Sequence, residues 1–183
     1  MSGLVLALVG TDHHPFERMV NWIDRAAWHH RDVHFVVQHG ATAAPVAAEG
    51  HDYLAHDRLV ALLHEASVVV CHGGPGTILD ARDAGHVPLC VPRDPGLGEH
   101  VDGHQQRFAA MMDRTGVVRS VTTHDRFEVE LVTALERAAR PGAAMLLDTE
   151  REASRARLAT ELDGLIARRP HRFPRFHRFA AAG

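Results

Sequence analysis

The residues with the widest chemical reach lie in two turns. The first, His72-Gly73-Gly74-Pro75-Gly76-Thr77, follows a short apolar run and carries three glycines just before a helical pattern. Glycines let the main chain approach a ligand closely, and a helix that starts near Gly76 presents unpaired N–H groups and the positive end of its dipole. That chemistry suits two linked phosphoryl groups; the alternative for such a turn is a tight connector with no ligand. No Lys follows the glycines, so the turn is not a P-loop, and the third glycine of G-x-G-x-x-G is missing, which weighs against a kinase, an ATPase and a dehydrogenase. Asp80, four residues beyond Gly76, can turn its carboxylate back toward a ribose at the helix start or stand as a solvated helix charge.

The second, Glu99-His100-Val101-Asp102-Gly103-His104-Gln105-Gln106, packs carboxylate, imidazole and amide groups into eight residues. Such a set suits several sugar hydroxyls, each needing a donor and an acceptor. His100 and His104 share a helical face at i, i+4. A zinc site needs a third ligand and an ordered surround, and no Cys or carboxylate stands at a known metal spacing beside them, so no metal is expected. His13 or His14, next to Gly10-Thr11, is the candidate general base or phosphate contact, the alternative being a solvated loop histidine. No Ser/His/Asp or Cys/His set with a known motif competes.

The elements that must position these turns follow from periodicity. Leu4 to Val9 is a continuous apolar run ended by Gly10, as expected of a strand buried on both faces of a parallel sheet. Phe16, Met19, Val20, Ile23, Ala26 and Ala27 recur at helical spacing after Pro15. Val33 to Gln38 is a second strand. His39 to Asp52 is too irregular for an element of its own and reads as a long functional loop. Leu59 to Leu63 is a short amphipathic helix, Ser67 to Cys71 a strand, Gly76 to Ala84 a helix closed by Gly85, and Pro88 to Val91 a strand. The loop from Pro92 to Val101 leads to Asp102, a candidate cap for a helix running to about Arg114. Val117 to Val121 is an edge strand, and Arg126 to Ala139 and Thr149 to Ala167 are closing helices. The alternation predicts a doubly wound, Rossmann-like α/β parallel sheet flanked by helices, whose ligands sit beyond the strands' C-terminal ends.

Composition bounds the class. The chain has 183 residues, 45% hydrophobic and 23% charged, which is ordinary for a globular domain and enough to bury a core. A formal net charge of −3 argues against nucleic acid, whose binders need a basic face. Cys71 and Cys90 lie in apolar runs and make no disulfide framework, so a reducing, cytoplasmic setting is expected. Met1 to Val9 has neither the charged start nor the cleavage site of a signal peptide, and its run is too short to span a membrane. Two parts are expected: a domain over residues 1–167, and a basic tail over 168–183 in which five arginines and two histidines of 168–178 interleave with Phe173, Phe176 and Phe179. The tail is a solvated terminus or a patch for an anionic membrane surface or a partner chain.

Taken together, several segments resemble a known family. Val9-Gly10-Thr11-Asp12-His13-His14-Pro15-Phe16-Glu17-Arg18, Val37-Gln38-His39-Gly40, His72 to Asp80, and Glu99-His100-Val101-Asp102-Gly103-His104-Gln105 fall in the order and spacing of the C-terminal, donor-binding domain of the GT-B glycosyltransferases, of the family 28 type. The stand-alone form is the most similar, as in the cytosolic subunit of the dolichol-linked GlcNAc transferase and small subunits of bacterial exopolysaccharide glycosyltransferases. The resemblance implies that Gly10 and Thr11 face the donor cleft, that His72, Gly73, Gly74, Pro75, Gly76 and Thr77 hold the diphosphate, and that Asp80 takes the ribose. The family usually has Glu at that last position, so the contact here is looser or water-mediated. Asp102, His104 and Gln105, with Glu99 in the same cluster, would hold the transferred sugar, and the backbone near Tyr53 to Asp57 would edge the base. It further implies no catalytic metal or cofactor, a UDP-sugar donor, and transfer of a hexosyl or N-acetylhexosaminyl group to a lipid-linked acceptor. A separate membrane-associated, acceptor-binding subunit would complete the enzyme, docked through the closing helices or the Arg/Phe tail, and would hold the chain at the inner face of the membrane. The alternative is a nucleotide-sugar-binding regulatory module without transferase activity.

Overall fold

The computed structural model describes residues 3–140, 149, 152–160 and 163–164. In chain order the elements are β1 (Gly3–Leu8), α1 (Glu17–His29), β2 (Val33–Gln38), β3 (Glu49–His51), α2 (His56–Glu65), β4 (Val68–His72), α3 (Pro75–Asp83), β5 (Leu89–Val91), α4 (His104–Arg114), β6 (Arg119–Ser120) and α5 (His124–Ala138). The six strands form one sheet in the order β3-β2-β1-β4-β5-β6, and every neighbouring pair is parallel. The sheet is doubly wound, as the alternation predicts. No helix among the described residues is long and apolar enough to cross a membrane.

Side-chain alternation assigns the two faces. Val5, Ala7 and Val9 point to one face with Val68, Val70, Leu89 and Val91, and there meet Met19, Ile23, Phe127, Leu131 and Leu135 of α1 and α5. Leu6 and Leu8 point to the other and meet Leu62 and Leu63 of α2 and Ala81 of α3. A third cluster joins Cys71, Ile78, Cys90, Ala109 and Met112 under α3 and α4. Burial of both faces is why these strands read as unbroken apolar runs.

Three expectations change in detail. The stretch from His39 to Asp52 contains a strand after all: Glu49, Gly50 and His51 pair with Val36, Val37 and Gln38. As an edge strand it buries no apolar face, so it has no hydrophobic period to read. The expected strand from Val117 to Val121 shortens to Arg119–Ser120, at the opposite edge. At α4 the cap position is Gly103, and Asp102 instead accepts from the N–H of His104 at 2.9 Å. Gly85 closes α3 as expected, at φ +99°. The last expected helix is described only over 149, 152–160 and 163–164, which are helical, and the tail over 168–183 lies outside the described residues.

The loops beyond the strands' C-terminal ends are fixed by one buried cation. Arg93, just after β5, is fully buried. Its Nη1 donates to His14 O at 2.7 Å and Glu99 O at 2.9 Å, its Nη2 donates to Val9 O at 2.9 Å, and its guanidinium lies 4.7 Å from the Phe16 ring centre. The loop after β1 and the loop after β5 therefore share one anchor. Burial pulls the pKa of this guanidinium down, and the carboxylates of Asp12 and Glu99 push it back up. Arg18 adds a second tie, donating through Nε and Nη2 to the two oxygens of buried Glu99 at 2.8 and 2.7 Å and through Nη2 to Pro92 O at 2.9 Å. Replacing Arg93 by Met would strand two buried carbonyls and one half-buried carbonyl, at about 1–3 kcal/mol each. Urea unfolding of Arg93→Met should accordingly show a loss of at least about 3 kcal/mol, whereas Arg31→Met, on an exposed pair with Trp28, should shift stability by no more than about 0.5 kcal/mol.

Candidate functional site

Strand order reverses direction between β1 and β4. The connection from β1 goes to β2 on one side and the connection from β4 goes to β5 on the other, so the loops leaving their C-terminal ends diverge and leave a crevice between them. A cleft of about 770 Å³ lies there, within the range of small-molecule sites. Gly10, Thr11, Asp12 and His13 form one wall, and His72, Gly74, Pro75, Gly76, Thr77 and Asp80 the other. Tyr53, Leu54, His56 and Leu59 close one end, and His100 and Gln105 the opposite side.

Glycine is required where the walls meet. The His72 ring occupies the space that a side chain on Gly10 or on Gly74 would need, and Gly10 also has φ +84°. The ring braces the turn: the Gly74 N–H donates to Nδ1 at 3.1 Å, and Nε2 lies 3.3 Å from Thr77 Oγ1. With Nδ1 accepting, the neutral ring carries its proton on Nε2 and donates to the threonine hydroxyl. Burial, followed by the charge of Arg93, depresses the pKa of this ring to about 4, so it is neutral at pH 7. The positive potential at this turn therefore comes from the start of α3 rather than from the ring. Pro75 has no N–H, and the first intrahelical bond is donated by Ile78 to Gly74 O at 3.2 Å, which leaves the N–H groups of Gly76 and Thr77 free for a ligand. A Cβ on Gly76 would meet no protein atom within 4 Å.

The opposite end is built from imidazoles and carboxylates. Asp12 Oδ1 accepts from the His14 N–H at 2.8 Å and from its ring Nδ1 at 2.6 Å. Burial raises the pKa of Asp12, but the two bonds from His14 and the nearby charges of His14 and Arg93 outweigh it and hold the carboxyl at about 2. His14 stacks between His13 and His100, with ring centres 4.1 and 5.9 Å away.

Of the residues singled out in the sequence, Gly10, Thr11, His13, His72, Gly74, Pro75, Gly76, Thr77, Asp80 and Gln105 line the cleft. Five do not. Gly73 lies beneath it, where a Cβ would come 2.8 Å from Gln105 Cβ, so it seats α4 against the turn. Glu99 is spent on Arg18 and on the N–H of Asp94 at 2.7 Å. Asp102 and His104 are exposed and bonded to one another at 2.5 Å, and His14 is second in its stack. Gln105 is buried, and its Oε1 accepts from the Arg93 N–H at 3.4 Å. Arg93, Arg18 and Asp12 escaped the sequence reading. A charged residue in a loop of prolines and glycines looks solvated, and only the converging carbonyls make Arg93 structural.

The depressed His72 pKa sets a stability window. The folded protein keeps the ring neutral down to about pH 4, while the unfolded chain protonates it near pH 6.5. The unfolded state therefore binds the extra proton between these values, and stability falls as pH falls through that window, by on the order of 2–3 kcal/mol. His86, also depressed by burial, acts in the same direction. In His72→Gln, the slope of unfolding free energy between pH 6.5 and 4 should become shallower without vanishing.

Comparison with known proteins places this geometry. No curated protein matches the chain by sequence. Among solved structures it is similar to the glycotransferase of kitacinnamycin (TM-score 0.60, 21% identity, 91% of this chain and 43% of that one). The calicheamicin glycosyltransferase CalG4 gives a TM-score of 0.57 at 18% identity, over 91% of this chain and 43% of that one. SnogD from Streptomyces nogalater gives 0.52 at 17%, over 90% and 43%. At these identities the likeness is one of fold, and the chain spans less than half the length of each enzyme. The model of the glycosyltransferase family 28 C-terminal domain matches residues 4–162, nearly all of the described chain, and the protein belongs to that family.

Proposed function

We propose that the chain is the donor-binding part of a glycosyltransferase that moves a hexosyl or N-acetylhexosaminyl group from a UDP-sugar to a lipid-linked acceptor. The observation that carries this reading is the start of α3. Two free N–H groups and a bare Gly76 open into a cleft of about 770 Å³ at the point where the sheet reverses direction. The diphosphate would rest against Gly74 to Thr77, the ribose near Asp80, and the base toward Tyr53 and Leu54. The sugar would then lie toward Gln105, with Asp102 and His104 near that end. His13 or His14 would take the acceptor's proton, and the Asp12 carboxylate suits the second of these by holding its ring. Departure of the diphosphate would be stabilised by the same N–H groups that bind it.

A complete transfer site needs an acceptor held opposite the donor. The chain covers 43% of the glycotransferase of kitacinnamycin and of CalG4, and the acceptor-binding surface proposed here is that of a membrane-associated subunit that would bring this chain to the cytoplasmic face of the membrane. Tyr53, Leu79, Leu97 and Val101, large apolar side chains left exposed in α3 and the loops beyond the strands' C-terminal ends, support a covering surface there. The closing helices and the Arg/Phe tail are the other contacts proposed for it.

Two measurements test this. In Gly76→Val the added side chain meets open space rather than protein, so the fold should persist while the phosphates are blocked. Calorimetric titration with UDP should show affinity reduced at least about tenfold, a loss of about 1.4 kcal/mol; unchanged affinity in the folded variant removes the cradle. Transfer from radiolabelled UDP-sugars to a polyprenyl-linked acceptor should be absent with the chain alone and appear when a membrane-bound acceptor subunit is co-expressed. Binding of UDP with no transfer in any such pairing would favour the regulatory module.

A further inference from the structure

Gln38, the last residue of β2, is a polar side chain only 6% exposed, and it lines the cleft together with Leu8, Tyr53 and Leu54. A backbone N–H can only donate, so the oxygen of the amide must face the Leu54 N–H, from which Oε1 accepts at 3.1 Å. The NH2 group is thereby turned the other way. Nε2 has no hydrogen-bond partner among the described residues, and it is not one of the unpaired atoms sealed from solvent. A nearly buried side chain thus presents unused donors to the cleft, and such groups in native proteins call for a partner.

The amide has little freedom to turn. The Gln38 carbonyl accepts from the Val9 N–H at 3.1 Å, and the residue pairs with Leu8 on one side and His51 on the other. Beyond it, the His39 N–H donates to His51 O at 2.9 Å and the Gly40 N–H to Asp52 O at 3.2 Å, which holds the chain leading into Tyr53 and Leu54. Reversing the amide would set its NH2 against the Leu54 N–H, two donors face to face with no acceptor between them. Position then decides what the donors would meet. Gln38, Leu8 and Cys71 stand abreast on β2, β1 and β4. Neighbouring strands lie about 4.8 Å apart, which puts Gln38 roughly 10 Å across the sheet from the strand that feeds the glycine turn. With the phosphates at Gly76 and Thr77 and the ribose near Asp80, the heterocycle would lie between, its far edge toward Gln38. On a pyrimidine that edge carries the exocyclic group at C4, a carbonyl in uracil and an amino group in cytosine. A fixed NH2 can pair with the first and only oppose the second.

We propose that Gln38 selects the base of the nucleotide: its Nε2 donates to the C4 carbonyl oxygen of a uracil ring and rejects cytosine, whose amino group would face the amide as a second desolvated donor. This assignment rests on the donor reading above and deepens it, from a nucleoside diphosphate held by its phosphates to one chosen by its base. Attraction and selection are thereby divided between the start of α3 and the end of β2.

Calorimetric titration of the full chain with UDP, CDP and inorganic pyrophosphate tests it. The unaltered protein should bind UDP at least about tenfold more tightly than CDP. Gln38→Glu keeps an oxygen for the Leu54 N–H but exchanges the NH2 for a second acceptor. In this variant the UDP-to-CDP affinity ratio should fall at least about tenfold, while pyrophosphate, held on the far side of the cleft, should bind within about twofold of its original affinity. A residue that only braced Leu54 would leave the ratio unchanged here, because the brace survives. Should Gln38→Glu not fold, Gln38→Met, which removes both polar atoms, should bring the ratio to about one. Equal affinity for UDP and CDP in the unaltered protein overturns the proposal, as does an unchanged ratio in the folded variant. In both cases tight UDP binding leaves the donor cleft standing, whereas failure of all three ligands to bind removes the donor reading and this assignment with it.

Discussion

A guanidinium buried among carbonyl oxygens is the constraint on which the rest of the site depends. Among the described residues Arg93 has no carboxylate in direct contact. It is neutralised instead by main-chain dipoles from Val9, His14 and Glu99 and by the face of Phe16. Such an arrangement is costly to desolvate and tolerates little displacement, because each carbonyl would otherwise be buried without a donor. The loops after β1 and β5 are thereby held as one unit. Every group that faces the cleft from those two loops inherits its position from this contact, including Gly10, Asp12 and His100.

The electrostatics of the cleft are unusual for a site proposed to take a diphosphate. Among the described residues no Arg lines it, and the two carboxylates that do, Asp12 and Asp80, repel anions. His72 is neutral at pH 7, so it contributes shape rather than charge. Attraction falls to the start of α3, where the dipole and the free N–H groups act at short range. That division explains the glycines: a main-chain cradle works only if nothing stands between the amide and the phosphate, and Gly74 must additionally yield its space to the His72 ring.

Much of the fold was legible in the sequence because its cause is local. Strands buried on both faces must be apolar throughout, and β1, β2 and β4 were found within a residue of their ends. The glycine turn was legible because a side chain at Gly73 or Gly74 would collide with Gln105 or His72. What was not legible depends on contacts distant in the chain. The strand Glu49–His51 exists only through its pairing with β2. Glu99 was grouped with the polar residues beside it, yet its partner is Arg18, 81 residues away. His100 likewise stands beside His14 only because two loops meet across the sheet.

The central position of β1 has a consequence for synthesis. Val5 to Leu8 pair with Phe35 to Gln38 on one side, but their other partners, Val68 to Cys71, leave the ribosome only after some sixty further residues. During that interval a wholly apolar strand presents an unpaired edge, the state most prone to join another nascent chain. Translation speed across α2 and access to a holding chaperone should therefore govern the yield of native protein more than its final stability does.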